Sequence, residues 1–396
     1  MIDPIKRALI LRETLKNNSK ILVVDFSNTL QGKDTSKVID TMPNIYTDEY
    51  VFRTKVNAKE IDPIASDVYE KNFFNIQNKS DDEIEKFIKK LEFDFPLWYK
   101  KNPDFKMKNV HDYNTPFIMQ VAGCNFHDGT EKGGCWYCFV DDKSNNGLVE
   151  EGKTFLSSDQ TIDSFISAKE KINKVYQKHG LDVNIKVLRV SGGEPSLVLD
   201  WILNLWRGVQ DSCLDLVGQI DTNLSTGLLI DHFEKEGIYE KNILNKLAEY
   251  PIKVLTAIKG IDNENIQNNV QAKTDIEQQL YSLKKIIKAG FDIYPQMYNP
   301  YPPELENYLK EMDDEIVDFS LKIHIGPLKI YSPTKQRLSI EAKNKNIEPE
   351  TLIKLKQKDW DINYNDSCEI LNNYLNKRYG VDYKEIVRSD VFLKLK

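Results

Sequence analysis

From Phe117 onward, short apolar runs alternate with longer amphipathic segments along the chain. Five of these segments have apolar positions at helical spacing, and the first of them can be capped by Ser157 or Ser158 and ended by Gly180. The apolar runs predict six strands: FIMQVAG, NIKVLRV, LVGQID, IKVLTAI, FDIYPQ and DFSLKIHI. This alternation is typical of a parallel α/β sheet. Periodicity alone leaves open whether the sheet curls into a barrel or stays doubly wound.

The two ends of the chain do not continue this alternation. Residues 1–110 contain the strand-like KILVVDFSN and the helix candidate SDDEIEKFIKKLEF, and they are predicted to form an N-terminal accessory segment or small domain. Residues 331–396 are rich in Lys and Asn and contain the helix candidates EPETLIKLKQKDW and SCEILNNYLNKRYG, which predict a C-terminal helical extension. Residues 111–330 are predicted to form the α/β core.

Composition narrows the possible functions. With 40% apolar and 29% charged residues, the 396-residue chain has the balance of a soluble globular protein. Its net charge of −7 argues against a dominant nucleic-acid-binding role, although a local basic patch stays possible. The apolar runs are far shorter than the roughly 20 residues of a membrane-spanning helix, and the N-terminus is a poor signal peptide. A cytoplasmic location is therefore expected.

Three of the five cysteines lie within fifteen residues, at Cys124, Cys135 and Cys138, in the spacing C-x10-C-x2-C. This clustering favours a metal site over a disulfide framework, and thiolates select zinc, copper(I) or iron–sulfur clusters. Three ligands are one short of a closed zinc site. Either His127 or a distant cysteine completes such a site in a zinc-stabilised α/β binding protein, or the fourth position is left open for chemistry.

A second motif, SGGEP, follows the second predicted strand of the core. Gly192 and Gly193 allow a ligand to approach the backbone closely. The helix that begins after Pro195 offers free amide groups to a carboxylate, and Glu194 offers an acceptor to an amine. Taken alone, the motif is also typical of a tight strand-to-helix turn.

Together, the cysteines and SGGEP resemble the radical S-adenosylmethionine (radical SAM) superfamily over residues 117–327. The resemblance implies a partial (β/α)6 barrel and one oxygen-sensitive [4Fe–4S] cluster held by the three cysteines. The fourth iron is then left for the amino and carboxylate groups of S-adenosylmethionine. It further implies an electron donor such as flavodoxin or ferredoxin, and a 5′-deoxyadenosyl radical that abstracts hydrogen from a substrate.

The resemblance also suggests roles for individual residues. It places Tyr137 near the adenine and residues 192–194 near the amino group of S-adenosylmethionine. Near the ribose it places three residues that ordinary strand-end capping also explains: Asp221, Thr222 and Asn223. AIKGIDNE resembles a segment of the glycyl-radical activating enzymes and places Lys259 near the carboxylate, although a solvated loop lysine is the alternative. Two departures are the ten-residue spacing, where three is common, and Ala257, where those enzymes usually have Asp.

The remaining candidates concern the substrate and the other cysteines. Polar residues at the later strand ends are substrate-contact candidates: Gln296, Tyr298, Asn299 and His324, the last of which a packed core histidine also explains. Cys213 and Cys368 are too few for a second cluster, so one cluster is expected, with Cys213 packed as a small apolar residue and Cys368 a structural thiol. No cobalamin-binding pattern stands out. A protein, peptide or RNA substrate is preferred, and a small metabolite remains open.

Overall fold

The computed structural model describes residues 3–24, 40–43, 50–53, 117–127, 133–178, 186–386 and 388–396. The predicted helix SDDEIEKFIKKLEF and the predicted stop at Gly180 lie outside these residues. Within them, no helix is long and apolar enough to cross a membrane.

The elements follow in chain order. The strands are β1 (Lys16–Asn17), β2 (Lys20–Val24), β3 (Asp40–Pro43), β4 (Tyr50–Arg53), β5 (Phe117–Val121), β6 (Lys153–Leu156), β7 (Val187–Gly192), β8 (Val217–Thr222), β9 (Ile252–Ile258), β10 (Asp292–Tyr298), β11 (Ile316–Val317), β12 (His324–Gly326) and β13 (Lys394–Leu395). The helices are α1 (Pro4–Leu15), α2 (Asp142–Asn145), α3 (Ser158–Lys178), α4 (Leu199–Asp211), α5 (Gly227–Lys235), α6 (Ile243–Ala248), α7 (Asn263–Asn269), α8 (Ile276–Ala289), α9 (Pro302–Glu315), α10 (Phe319–Lys322), α11 (Ser332–Asn344) and α12 (Pro349–Tyr379). Short 3-10 helices occur at Pro195–Val198, Tyr383–Glu385 and Arg388–Asp390.

Six parallel strands form the centre of the sheet, in the order β5-β7-β8-β9-β10-β12. This order follows the chain without reversal, whereas a doubly wound sheet reverses its strand order part-way. The sheet is therefore wound in one direction, as in a barrel. In the described part of the chain it does not close, because β12 forms one edge and the antiparallel β2 lies beyond β5. The prediction of an α/β partial barrel is confirmed.

Both ends of the chain pack against this barrel. β2 pairs antiparallel with β5 and with β6, and α1 buries Leu11 and Leu15 in the same apolar core. From the other end of the chain, α12 adds Leu371 and Leu375 to that core. The division into three segments at residues 110 and 330 stays a prediction.

Strand alternation separates the core from the interior of the barrel. In β9, Ile252, Val254 and Ile258 are buried against the helices, while Leu255 and Ala257 are half-buried on the opposite face. Because successive side chains of a strand point to opposite faces, one set fills the core and the other lines an interior cavity. This geometry directs the residues at the strand ends towards that cavity.

Two elements differ from the sequence prediction. The predicted strand DFSLKIHI is instead α10 followed by the short β12, because Asp318 adopts a left-handed conformation (φ 59°) and the Asp313 carboxylate accepts hydrogen bonds from the Ser320 amide and hydroxyl. The two helices predicted near the C-terminus are one 31-residue helix, α12, which ends at the left-handed Gly380 (φ 69°).

Candidate functional site

A cavity of about 300 Å³ opens at the carboxyl ends of the parallel strands. The residues predicted to bind the cluster or S-adenosylmethionine all line it: Cys124, Cys135, Tyr137, Cys138, Gly192, Gly193, Glu194, Asp221, Thr222, Asn223 and Lys259. Gln296 and Tyr298 also line it, whereas Asn299 and His324 are not among its described lining residues. The roles assigned to these residues remain predictions, but the fold brings them together from five strand ends.

Backbone hydrogen bonds position the three cysteines. Cys124 follows β5 and donates its amide hydrogen to the Asn145 carbonyl (2.9 Å), and the Cys138 amide donates to the Cys135 carbonyl (3.0 Å). The side-chain amides of Asn223 and Asn145 lie 3.7 Å from the sulfurs of Cys124 and Cys138, respectively. Polar donors around sulfur ligands orient the ligands and tune a bound metal. The cysteines are therefore placed as three thiols around a common space.

The thiols influence one another's ionisation. Burial raises the pKa of Cys124, and the nearby Cys135, Cys138 and Glu194 raise it further. Burial and Cys138 also raise the pKa of Cys135, although the Lys259 ammonium acts in the opposite direction. Sulfur ligands bind metals as thiolates, and a bound cation offsets both the burial and the mutual repulsion of such charges. The donor set therefore fits a positively charged metal centre.

A single metal ion and a cluster need different arrangements of the three thiols. In the described part of the chain, no group of three His, Cys, Asp or Glu side chains could hold a metal ion. A single tetrahedral zinc ion, with sulfurs about 2.3 Å away, needs its ligands within about 4 Å of one another. In an iron–sulfur cluster each cysteine binds a different iron, so the thiols surround a volume. In the described structure, the three cysteines line one cavity.

His127, the local candidate for a fourth zinc ligand, is fully buried and does not line the cavity described here. Its Nε2 atom lies 2.9 Å from a carboxylate oxygen of Asp142. The structure therefore places His127 in the buried interior of the cysteine loop, the segment from Cys124 to Cys138, rather than on its surface.

Backbone hydrogen bonds connect the SGGEP turn to the end of β5 and the residue before Cys124. The Gly193 amide donates to the Val121 carbonyl and the Glu194 amide donates to the Gly123 carbonyl, both at 2.9 Å. The buried Glu194 carboxylate accepts hydrogen bonds from the hydroxyl of Thr222 (2.8 Å), the amide of Asn223 (2.7 Å) and Ser196. Burial raises the pKa of Glu194 despite these bonds. Glu194 thus connects the ends of neighbouring strands, and its predicted role in binding the amino group of S-adenosylmethionine stays a prediction.

Arg189 lies deeper in the barrel and was not assigned a role from the sequence. Its Nε and Nη2 atoms lie 3.0 and 2.6 Å from Oδ2 of Asp221, and the Gln219 side-chain amide donates to Oδ1 at 2.8 Å. Arg189 is the one charged residue of an otherwise apolar strand, and it lies on the same face as Ser191. A charged residue in such a strand could have indicated a functional role from the sequence. Asp221, predicted to lie near a ribose, is therefore already part of an ion pair in the cavity wall.

One side of the cavity is lined by two tyrosine rings and an ammonium group, those of Tyr137, Tyr298 and Lys259. The Lys259 Nζ atom lies 5.6 Å from the Tyr137 ring centroid, and the two tyrosine rings are 5.6 Å apart. Burial by itself lowers the pKa of Lys259, whereas Cys135 and Tyr137 raise it, and the net shift of the pKa is upward. The buried hydroxyl of Tyr137 has no hydrogen-bond partner among the described residues. An unsatisfied buried hydroxyl beside a cavity fits a polar ligand there.

The remaining candidates lie outside the cavity lining. Asn299 donates its side-chain amide to Asn269 (2.8 Å), and His324 contacts the Tyr383 hydroxyl (2.8 Å). Cys368 packs half-buried against the core. The prediction for Cys213 is wrong, because this thiol is exposed in a left-handed turn (φ 52°) at the end of α4 and not packed as an apolar residue.

Comparisons with known proteins give few relatives. No protein-family model matches the chain, and no curated protein sequence is significantly similar to it. Three solved structures of the cobalamin-dependent S-adenosylmethionine radical enzyme OxsB align with 61% of this chain and with 31 to 38% of their own length. They are the aqua-cobalamin complex (12% identity, TM-score 0.35), the complex with aqua-cobalamin and S-adenosylmethionine (13%, 0.35) and the apo enzyme (11%, 0.36). The chain thus spans about a third of their length.

Proposed function

We propose that this protein is a radical SAM enzyme with one [4Fe–4S] cluster. Cys124, Cys135 and Cys138 would hold the cluster, and S-adenosylmethionine would bind beside it. One observation carries the proposal: the three cysteines and the Gly192–Gly193 turn, which are distant in sequence, line one cavity at the carboxyl edge of a singly wound sheet. Active sites of barrels form at this edge.

A [4Fe–4S] cluster held by Cys124, Cys135 and Cys138 would, with a reductant such as flavodoxin or ferredoxin, supply the electron for cleavage of S-adenosylmethionine into methionine and a hydrogen-abstracting 5′-deoxyadenosyl radical. The chain's own residues bind and orient the reactants. Asn223 and Asn145 offer side-chain amides to the cysteine sulfurs. Lys259 offers an ammonium to a carboxylate, and Tyr137 offers an aromatic face and an unpaired hydroxyl.

The substrate would enter beyond the cofactor residues. The cavity wall there includes Gln296 and Tyr298 from β10, and Lys329 and Tyr331 from the segment that leads into α11. These polar and aromatic groups suit a hydrogen-bonding substrate. The preference for a protein, peptide or RNA over a small metabolite stays a prediction.

The test is reconstitution of the protein with iron and sulfide in the absence of oxygen, followed by addition of S-adenosylmethionine and a strong reductant. We expect about four irons per chain and formation of 5′-deoxyadenosine. Cys135→Ala is expected to lose both. Cys213→Ala is the matched control, because this exposed thiol lies outside the cavity lining and its loss is expected to change neither.

Two results would contradict the proposal. One is a wild-type chain that binds a single zinc and no cluster, which favours the zinc-stabilised binding protein. The other is Cys135→Ala protein that still holds four irons and still produces 5′-deoxyadenosine.

A further inference from the structure

Helix α11, from the C-terminal part of the chain, packs against the residues that follow the third cysteine. Arg337 of this helix donates from Nη1 to the Cys138 carbonyl (2.7 Å) and from Nη2 to the Val140 carbonyl (3.0 Å). Thr334, one turn earlier, contacts the same Cys138 carbonyl at 3.4 Å. Arg337 is only 3% exposed, so its guanidinium is held beside the cysteine loop away from solvent.

The same guanidinium reaches the other end of the loop through two side chains. Nη2 of Arg337 lies 3.0 Å from the Asp142 carboxylate, and the same carboxylate oxygen lies 2.9 Å from Nε2 of His127. The His127 amide donates to the Cys124 carbonyl at 3.0 Å. A continuous set of contacts therefore runs from Cys124 through His127, Asp142 and Arg337 to Cys138.

Helix α1 reinforces this set from the N-terminal side. Arg7 donates from Nε to the His127 carbonyl (3.1 Å) and from Nη2 to the Asn146 carbonyl. The spacing between the first two cysteines is ten residues, and a connection of that length leaves its ends many separations to explore. The contacts from Arg7 and Arg337, which lie outside the loop, thus restrict the distance between Cys124 and the other two thiols.

We propose that Arg337 is a positioning residue for the cluster, an inference that rests on the proposed function. Arg337 binds the carbonyl of Cys138 and, at the same time, the Asp142 carboxylate, which contacts His127 next to Cys124. These simultaneous contacts fix the position of Cys138 relative to Cys124. It also holds a buried positive charge beside the backbone that carries Cys138. Reduction adds negative charge to a cluster, so a nearby cation raises the reduction potential.

The experiment compares Arg337→Gln, Arg337→Lys and the wild type, each reconstituted as the full chain. Iron retention is followed during incubation with a chelator, and the midpoint potential is measured by electron paramagnetic resonance during a reductive titration. We expect Arg337→Gln to lose iron about 10- to 100-fold faster than the wild type, as is typical when a partner of a metal ligand is removed. Its midpoint potential is expected to be more negative.

Arg337→Lys separates the two roles. It keeps the charge, so the potential is expected to stay near that of the wild type, but a single ammonium cannot reproduce the forked donation to both carbonyls, so iron is still lost faster. Arg207→Gln is the control, because Arg207 is an exposed arginine paired with Glu240 and outside the cavity lining. It is expected to match the wild type in both measurements.

The outcomes are distinct. If the wild type holds a cluster and Arg337→Gln keeps iron and potential unchanged, the role of Arg337 is refuted while the proposed function stands. If the wild type holds no cluster, the proposed function fails and this inference fails with it. If Arg337→Gln does not fold, Arg337→Lys alone tests the forked donation to the Cys138 and Val140 carbonyls, and iron retention equal to the wild type then overturns the inference.

Discussion

The backbone of the SGGEP turn packs directly against the backbone of Gly123 and Cys124 at Gly193. The substitution Gly193→Ala tests whether the site depends on this close packing. A Cβ atom at Gly193 would lie 1.7 Å from the carbonyl oxygen of Gly123, 2.2 Å from its carbonyl carbon and 2.9 Å from the Cys124 nitrogen. All three neighbours are backbone atoms, so no side chain can rotate away. Because real Cβ contacts stay at 3.0 Å or more, the turn and the loop must separate by about 1.3 Å.

A separation of that size has two consequences. The hydrogen bond from the Glu194 amide to the Gly123 carbonyl, now 2.9 Å, does not survive it, and overpacking of this kind costs about 1–3 kcal/mol of folding free energy. A misplacement of about 1 Å between reacting groups lowers catalytic efficiency about 100-fold. We therefore expect Gly193→Ala to fold with reduced stability and to form 5′-deoxyadenosine about 100-fold more slowly.

The assay measures 5′-deoxyadenosine formation and S-adenosylmethionine binding alongside urea unfolding. Gly237→Ala is the control for a glycine substitution without a clash: its Cβ has no neighbour within 4 Å, but its left-handed φ of 70° costs about 1 kcal/mol. It should lose stability and keep activity. A Gly193→Ala protein with wild-type binding and turnover within about threefold would refute the reasoning, because the clash would then be absorbed without moving the site.

Three further substitutions test the surroundings of the site and the core. Tyr137→Phe removes a buried hydroxyl without a partner among the described residues, so protein measured without S-adenosylmethionine is expected to gain about 1 kcal/mol of stability in urea unfolding, and S-adenosylmethionine binding to weaken. Lys322→Met leaves the buried Asp292 carboxylate without its cation, 3.0 Å away, and is expected to cost about 3–5 kcal/mol; a loss below 1 kcal/mol would contradict this. Hydrogen bonds, first from Arg207, lower the pKa of Glu240 to about 2, so its stabilisation is present above its unfolded pKa of about 4.3 and is lost as pH falls towards 2. Unfolding free energies are compared at about pH 5 and about pH 3. Because the Arg207–Glu240 pair is exposed, its contribution to the stability lost between these two pH values is no more than about 1 kcal/mol. Glu240→Gln is expected to remove that contribution.

The strand–helix alternation was predictable because each strand carries its own apolar run. β9, with its buried and half-buried positions in strict alternation, is an example, and so is α8, which ends at Gly290 as its sequence indicates. The strand order was not predictable in the same way. Periodicity describes one element at a time, whereas the choice between a barrel and a doubly wound sheet depends on pairing between elements.

What the sequence could not indicate are contacts between distant segments. The pairing of Val23 with Val121 joins strands almost a hundred residues apart, and Arg337 resembles any other basic residue of an amphipathic helix until it meets the Cys138 carbonyl. α10 was predicted as strand because its apolar residues suit both structures and the deciding partner is the side chain of Asp313. Motifs in the sequence thus indicated which residues are candidates for the site. The contacts that hold these residues in place come from distant segments and could not be predicted.

The meeting of both chain ends at the cysteine loop bears on how the protein is made. Arg337 is translated 199 residues after Cys138, the residue whose carbonyl it binds. Synthesis proceeds from the N-terminus, so the three cysteines leave the ribosome long before the helix whose Arg337 binds the Cys138 carbonyl. If the chain binds the proposed cluster, the complete set of contacts around its cysteines would form only after α11 has been translated.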